Sequence, residues 1–147
     1  MADRTITEVS SEIIAKYPQV ELTEAGYFFV PVDQITAVMK DFKESYGFNF
    51  LTNVTAVDYL EHFNVVYNLS RAEEPDMIHI ITKIDRQKPE IPSMVPIWGG
   101  AIWQEREVYD LLGIKFTGHP DLRRILLDDS WEEYPLRRDF QWEGGRD

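Results

Sequence analysis

The 147-residue sequence contains no cysteine. This absence excludes disulfide bonds, a thiol nucleophile, cysteine-ligated zinc and ordinary iron–sulfur clusters. The three histidines, His62, His79 and His119, have no ligand-type partner at the spacing of a known metal motif, and no glycine-rich phosphate loop is present. The residues therefore predict a chain that carries no metal, flavin or nucleotide of its own.

Positive charge is also scarce. Fifteen Lys and Arg stand against 26 Asp and Glu, which gives a formal net charge of -11 and a pI near 4.7. Such a balance argues against a nucleic-acid partner or an anionic membrane surface. Nowhere do about 18 apolar residues run together, and the N-terminus lacks the basic and apolar regions of a signal peptide. We expect a soluble cytoplasmic protein without a membrane span.

The first half of the chain predicts two helices and a hairpin. Thr5 and Glu8 have the spacing of a capping box, and apolar residues at helical spacing follow until Pro18. Short β-prone runs on either side of Gly26 predict a hairpin. Asp33 is the predicted cap of a second helix, which Gly47 ends.

From Phe48 the apolar period changes to two. It predicts three successive strands, Phe50–Val57, Phe63–Leu69 and Met77–Ile84, in an antiparallel meander. Three prolines between Arg86 and Pro96 predict an extended loop. The expected fold is α+β, a two-layer sandwich with helices on one face of a mostly antiparallel sheet. We divide it into a core domain, residues 1–113, and an extended partner-binding tail, residues 114–147.

A helix that begins near Ala101 is predicted to have one face for the core and one outward face for a partner. At roughly 100° per residue, one face joins the domain core; it comprises Ala101, Glu105, Val108 and Leu112. The other face presents an indole among charges, a mixture typical of protein interfaces; it comprises Trp103, Arg106, Glu107 and Asp110. The alternative is a surface helix with ordinary charge pairs such as Arg106 with Asp110.

The tail after Gly113 shows little regular pattern. A short helical turn from Asp121, with Leu122, Ile125 and Leu126 on one side, is the only element we predict there. Aromatic residues and forked arginines are too frequent for a solvated segment; they include Phe116, Arg123, Arg124, Trp131, Tyr134, Arg137, Arg138, Phe140 and Trp142. We expect the tail to become ordered against a partner protein and to be more mobile than the body when the chain is alone.

The run EREVYDLLGIKFTGHPDLRRILLDDSWEEYPLRRDF, Glu105 to Phe140, resembles the signature of the 30 kDa subunit family of complex I, also called the C subunit of NADH:quinone oxidoreductase. FLTNVTAVDYLEHFNVVYNLS, Phe50 to Ser70, resembles the paired strands of that family. Two positions depart from the pattern: Ile102 stands where the family commonly has Asn, and Gln141 stands where many members have Pro.

The resemblance implies a cofactor-free protein in the peripheral arm of a proton-pumping complex, on the cytoplasmic side of the membrane. It implies docking on the quinone-site subunit, the D subunit of the complex, and on neighbouring iron–sulfur subunits, with FMN and the clusters held by other subunits. The complex is the enzyme, and the isolated chain is predicted to be non-catalytic. The predicted interface residues are Trp103, Arg106, Glu107, Asp110, His119, Asp121, Arg123, Arg124, Pro135, Arg137, Arg138, Asp139 and Phe140.

Three alternatives stay open at this point. Relatives of this family occur in ferredoxin-linked and hydrogenase-type complexes. A transient assembly factor and a small hydrolase that uses Glu105, Asp110 and His119 are the others. Against the hydrolase, we expect His119 to bond the backbone at a corner. We expect Glu105 to form a buried ion pair with Arg106 or a tail arginine.

Overall fold

The computed structural model describes residues 5–71, 77–127 and 133–139. Three helices and seven strands form there: α1 Ile6–Lys16, β1 Glu21–Leu22, β2 Tyr27–Phe29, α2 Ile35–Tyr46, β3 Phe50–Asp58, β4 His62–Ser70, β5 Met77–Asp85, β6 Glu90–Pro92, α3 Ala101–Leu112 and β7 Lys115–Thr117. None of the helices in these ranges has the length and apolar character that a membrane crossing needs.

The main sheet has the strand order β1-β2-β5-β4-β3. Its β3, β4 and β5 form the predicted antiparallel meander, and β1 and β2 form the predicted hairpin. The hairpin joins the sheet because β2 pairs in parallel with β5, a contact between strands that are distant in sequence. The α+β prediction is confirmed, and β3 is left as an edge strand that α3 accompanies.

The hydrophobic core lies on one face of this sheet. Phe63, Val65, Tyr67 and Leu69 of β4 are buried, while the residues between them are half-buried. The three helices contribute to the same core cluster. This alternation is what a sheet covered on one face requires.

Three of the predicted helix ends follow local chemistry: those at Thr5, Gly47 and Gly113. The capping box of Thr5 and Glu8 is present in full, and Gly47 ends α2 in the left-handed conformation at φ 77. Helix α3 likewise ends at Gly113, at φ 78. The cap predicted at Asp33 is wrong, because Asp33 lies inside a 3-10 turn and Gln34 precedes the helix.

Two further expectations about irregular segments are corrected. The proline-rich loop contains a short strand, β6, which pairs in parallel with β7 of the tail. Pro92 lies at the end of β6, where a missing N–H costs little. The helical turn from Asp121 is absent, since residues 121–127 have no helix. The backbone N–H groups of residues 125–127 bond a distant carboxylate instead, as described below.

Candidate partner interface

Helix α3 buries the face that its apolar spacing predicts. Ala101, Glu105, Val108 and Leu112 are all buried. The helix starts after Gly100 and packs along the edge strand β3, where Gln104 Oε1 accepts a 2.6 Å hydrogen bond from the Val54 amide. One face of α3 therefore belongs to the core, as expected.

The opposite face of α3 is only partly open. Trp103 is 57% exposed and Glu107 is exposed, whereas Arg106 is 6% and Asp110 0% exposed. Arg106 and Asp110 are therefore not presented to solvent, contrary to the expectation of four outward residues. The reason is that the chain after β7 returns across this face and covers both side chains.

Asp110 is the centre of the first contact between α3 and the returning chain. Its Oδ2 accepts hydrogen bonds from the amides of Ile125, Leu126 and Leu127 at 3.1, 2.6 and 3.0 Å. Its Oδ1 accepts a 2.8 Å bond from Arg124 Nη1. Burial acts to raise the pKa of Asp110, but these hydrogen bonds outweigh it and the net pKa is lowered. We call this group the first clasp.

Arg106 holds the preceding residues of the same segment. Its Nε donates to the Arg123 carbonyl at 3.1 Å and its Nη2 to the Arg124 carbonyl at 2.9 Å. The guanidinium lies 5.1 Å from the centre of the Trp103 ring, and Asp121 Oδ2 is 4.0 Å from Arg106 Nη1. The fork expected to meet a partner protein thus binds two carbonyls of its own chain.

Asp58, at the end of β3, forms a second clasp. It accepts hydrogen bonds from the Leu60 amide at 2.8 Å, the Arg138 amide at 2.7 Å and the Arg86 guanidinium. Arg86 Nη2 also bonds Asp139 Oδ1 at 2.7 Å. Burial acts to raise the pKa of Asp58, but the hydrogen bonds together outweigh it, so the net pKa is lowered. Sequence reasoning missed Asp58, because an acid in a hairpin connection looks like an ordinary turn residue.

Arg137 joins the second clasp to the end of α3. Its Nε donates to the Leu112 carbonyl at 2.7 Å, and its guanidinium lies 4.9 Å from the Tyr134 ring centre. The Leu136 amide donates to the Leu111 carbonyl at 3.0 Å. These two carbonyls, which lack partners in the helix itself, are thereby satisfied by the tail.

His119 bonds the backbone, as expected. Its Nδ1 accepts a 2.9 Å hydrogen bond from the Asp121 amide, so the proton lies on Nε2, which donates to the Ile102 carbonyl at 3.0 Å. Both ring nitrogens of the neutral imidazole are occupied. His119 fixes the corner between β7 and the first clasp.

Glu105 does not form the expected ion pair. Its two carboxylate oxygens accept hydrogen bonds from Ser93 Oγ at 2.6 Å and from the Met94 amide at 2.7 Å. Burial raises the pKa of Glu105, although these two bonds oppose the shift. The prediction failed because Arg106 and Arg124 lie on the other side of the helix, against the tail.

Two of the remaining predicted interface residues, Arg123 and Pro135, lie in the two clasped segments, residues 123–127 and 133–139. Arg123 is exposed and bonds Asp121 Oδ1 at 2.9 Å, and Pro135 is half-buried in the turn before Arg137. Phe140 lies outside the described residues, as do Trp131 and Trp142.

The outer surface formed by α3 and the clasped segments exposes several large apolar side chains. Trp103, Leu126 and Leu136 are 57%, 60% and 58% exposed. We call Trp103, Glu107, Leu126 and Leu136 the docking face. Within the described ranges, no group of three His, Asp or Glu side chains has an arrangement that could hold a metal ion. Contact with another protein is the chemistry that this surface supports.

Comparison with known families identifies the chain's relatives. A family model described as the 30 kDa subunit of the respiratory-chain NADH dehydrogenase matches residues 28–146. The chain belongs to this family. The match includes both clasps and the whole of α3, so the resemblance seen in the sequence is confirmed.

Named relatives agree with the family. The chain is 45% identical over 141 residues to the NADH-quinone oxidoreductase C subunit of Moorella thermoacetica, and the match covers 91% of this chain and 95% of that protein. It is 41% identical over 113 residues to the NADH-quinone oxidoreductase C/D subunit of Phocaeicola vulgatus, a match that covers 76% of this chain and 22% of that longer protein.

Two solved structures share the fold. A trypsin-resistant fragment of Nqo5 is 34% identical, with a TM-score of 0.68 over 80% of this chain and 98% of that one. A chain of an archaeal membrane-bound sulfane sulfur reductase, a respiratory membrane complex, is 30% identical, with a TM-score of 0.80 over 92% of this chain and 85% of that one.

Proposed function

We propose that this chain, which is part of an NADH-quinone oxidoreductase, binds the quinone-site subunit through its docking face. The observation that carries the proposal is that three large apolar side chains are exposed on α3 and on the segments that cross it: Trp103, Leu126 and Leu136. In the two clasps, the polar groups of the tail form hydrogen bonds to other parts of the same chain. The apolar side chains Leu126 and Leu136 are left exposed. A partner that buries them gains about 25 cal/mol per Å² of apolar surface.

The choice of the quinone-site subunit as partner has separate support. The relative from Phocaeicola vulgatus is named as a combined C/D subunit, and this chain matches 22% of its length. Two proteins that are fused in one organism and separate in another are expected to work in contact. Neighbouring iron–sulfur subunits are further partners in this proposal. Asp121, Arg123, Pro135, Arg138 and Asp139 remain predicted interface residues.

The chain's part in electron transfer is structural in this proposal. It has no cysteine to hold an iron–sulfur cluster, and in this proposal other subunits hold the clusters and FMN. The chain supports the fold and assembly of the electron path from NADH to quinone, in the peripheral arm on the cytoplasmic side of the membrane. Ion pumping belongs to the complex as a whole.

A pair of matched variants tests the docking face. Trp103→Ala removes the exposed aromatic side chain of the docking face and should weaken association with the quinone-site subunit by about 2 kcal/mol, roughly 30-fold. Phe50→Ala is the control, because Phe50 is 51% exposed but its strand position places it on the open face of the sheet. We expect both variants to melt near the wild-type temperature. Equal binding losses for the two variants, or none for Trp103→Ala, would refute the proposal.

The second candidate function is that of the equivalent subunit in a ferredoxin-linked or hydrogenase-type complex, and one observation favours it. The TM-score of 0.80 to the sulfane sulfur reductase chain covers 92% of this protein, so the same fold serves a different respiratory complex. The test is to purify the native complex through a tag on this chain and to measure which donor it oxidises. NADH oxidation coupled to quinone reduction supports the first candidate, and oxidation of reduced ferredoxin without NADH activity supports the second.

A further inference from the structure

A groove runs between the edge strand β3 and α3. It encloses about 230 Å³. Its lining includes Ala56, Gln104, Glu107, Val108, Leu111 and Leu136. Two of these residues, Glu107 and Leu136, belong to the docking face, so the groove is continuous with that surface.

The strand edge in this groove has an open backbone position. β3 is the last strand of its sheet, and the Val54 N–H points away from β4 because it donates to Gln104. Backbone groups two residues apart on an antiparallel strand point the same way. The N–H and C=O of Ala56 therefore face the groove, and no hydrogen-bond partner for either occurs in the described part of the chain.

The rim of the groove carries one acid that has no counter-ion in the described ranges. Glu107 is exposed and forms no ion pair there. Its neighbours Arg106 and Arg124 are engaged by tail carbonyls and by Asp110. In a chain of net charge -11, this acid favours a cationic group on whatever enters the groove.

We propose that an extended segment of the docking partner adds a strand to β3 at Ala56. Its backbone pairs with the free N–H and C=O, its apolar side chains enter the groove against Val108 and Leu111, and a Lys or Arg faces Glu107. An unpaired strand edge recognises extended backbone, and the pockets beside it recognise alternate side chains. The proposal rests on the proposed function, since it names how part of the quinone-site subunit is recognised.

Amide hydrogen exchange at Ala56 is the primary test. It is measured in the full chain alone, at two chain concentrations, and then with the purified quinone-site subunit of the same organism. A strand added by that partner slows exchange at Ala56 at least about tenfold only in the complex. Protection already present in the dilute chain alone means that a segment of the chain itself fills the edge, and protection that rises with chain concentration means that a second copy does. Each of these two results overturns the proposal.

A variant pair separates backbone pairing from side-chain packing. Ala56→Pro deletes the outward N–H, a change that edge strands tolerate, and Ala56→Ser retains it. The proline variant should bind the quinone-site subunit about tenfold more weakly and the serine variant within about twofold of wild type. If the proline variant does not fold, the exchange result on the wild-type chain decides.

The two proposals fail in different ways. If the wild-type chain does not bind the quinone-site subunit, the proposed function fails. If it binds while Ala56 exchanges as fast as in the free chain, only the strand addition is wrong. Equal affinity of the folded Ala56→Pro and Ala56→Ser variants also overturns the strand addition alone.

Discussion

Arg124 Nη1 donates a 2.8 Å hydrogen bond to Asp110 Oδ1, in a pair whose side chains are 6% and 0% exposed. The same nitrogen bonds the Asp110 carbonyl at 2.6 Å. A helix of the body and the segment that crosses it are thus joined by a buried ion pair. Because three tail amides share the other carboxylate oxygen, the segment's backbone is fixed as well as its side chain.

Replacing the acid of the first clasp should release this segment. In Asp110→Asn the buried Arg124 loses its counter-ion, and breaking such a pair costs about 3–5 kcal/mol. The tail can detach while the body stays folded. We therefore expect exchange of the Ile125, Leu126 and Leu127 amides to rise roughly 100-fold or more, with β4 amides unchanged. Equal loss of protection in β4 would show that the clasp is part of the core's own stability.

The clasps should open in acid. The pKa values of Asp110 and Asp58 are lowered below the ordinary value of 3.8. A carboxyl group with a lowered folded-state pKa contributes stability above its unfolded pKa, and this is lost as pH falls through the folded value. The protection factors of the Leu126 and Arg138 amides should therefore be constant above about pH 5. They should decrease as the pH is lowered below 3.8. In Asp110→Asn the acid dependence at Leu126 should vanish and that at Arg138 should persist.

A side chain at Gly113 should be destabilising for two reasons, the positive φ of the backbone and the close approach of the tail. A Cβ at Gly113 would lie 2.7 Å from Arg137 Nη2 and 2.8 Å from the Tyr134 ring, whereas one at Gly118 would meet nothing within 4 Å. Both glycines have positive φ, at 78 and 84, so alanine at either costs about 1–2 kcal/mol in backbone strain. Gly113→Ala should in addition displace residues 134–137, visible as lost protection of the Leu136 amide. Gly118→Ala is the control, and similar protection of the Leu136 amide in Gly113→Ala and Gly118→Ala would contradict this.

Glu105→Gln should change stability in a pH-dependent way. Burial raises the Glu105 pKa above 4.5, so the folded state favours the protonated acid. Stability of the wild type then falls as pH rises from 4.5 towards the folded pKa, by about 1.4 kcal/mol for each pH unit that separates the unfolded and folded pKa values. Glutamine can accept from the Met94 amide and donate to Ser93 Oγ without this dependence. In urea unfolding, the free energy of unfolding of the variant should increase relative to that of the wild type between about pH 4.5 and pH 7. A difference in unfolding free energy that stays constant over this range would contradict the assignment.

The elements that local chemistry determines could be predicted from the sequence. The period-two runs placed β3, β4 and β5, because side-chain alternation depends only on neighbouring residues. The Thr5–Glu8 box and the two helix-ending glycines have the same local character. The parallel pairing of β2 with β5 was beyond reach, since it joins residues far apart in the chain, such as Phe28 and Ile80.

The candidate site could be predicted only in outline. Trp103 and Glu107 are on the exposed face of α3 as expected. Arg106 and Asp110 were placed there too, because helical spacing marks charged residues as outward and cannot show a returning chain. The predicted helical turn at Asp121 failed for the same reason: the amides that would have bonded within it go to Asp110. The role of Asp58 appears only when residues 80 positions apart meet.

The docking face, and not the open face of the sheet, is where we expect the quinone-site subunit to bind. Comparing amide hydrogen exchange in the free chain with exchange in the assembled complex decides between the two faces. We expect residues 103–112 and the clasped segments, 123–127 and 133–139, to gain protection on assembly, while Phe50, Val57 and Met77 on the open sheet face do not. Protection confined to that sheet face, with residues 103–112 unchanged, would contradict this assignment.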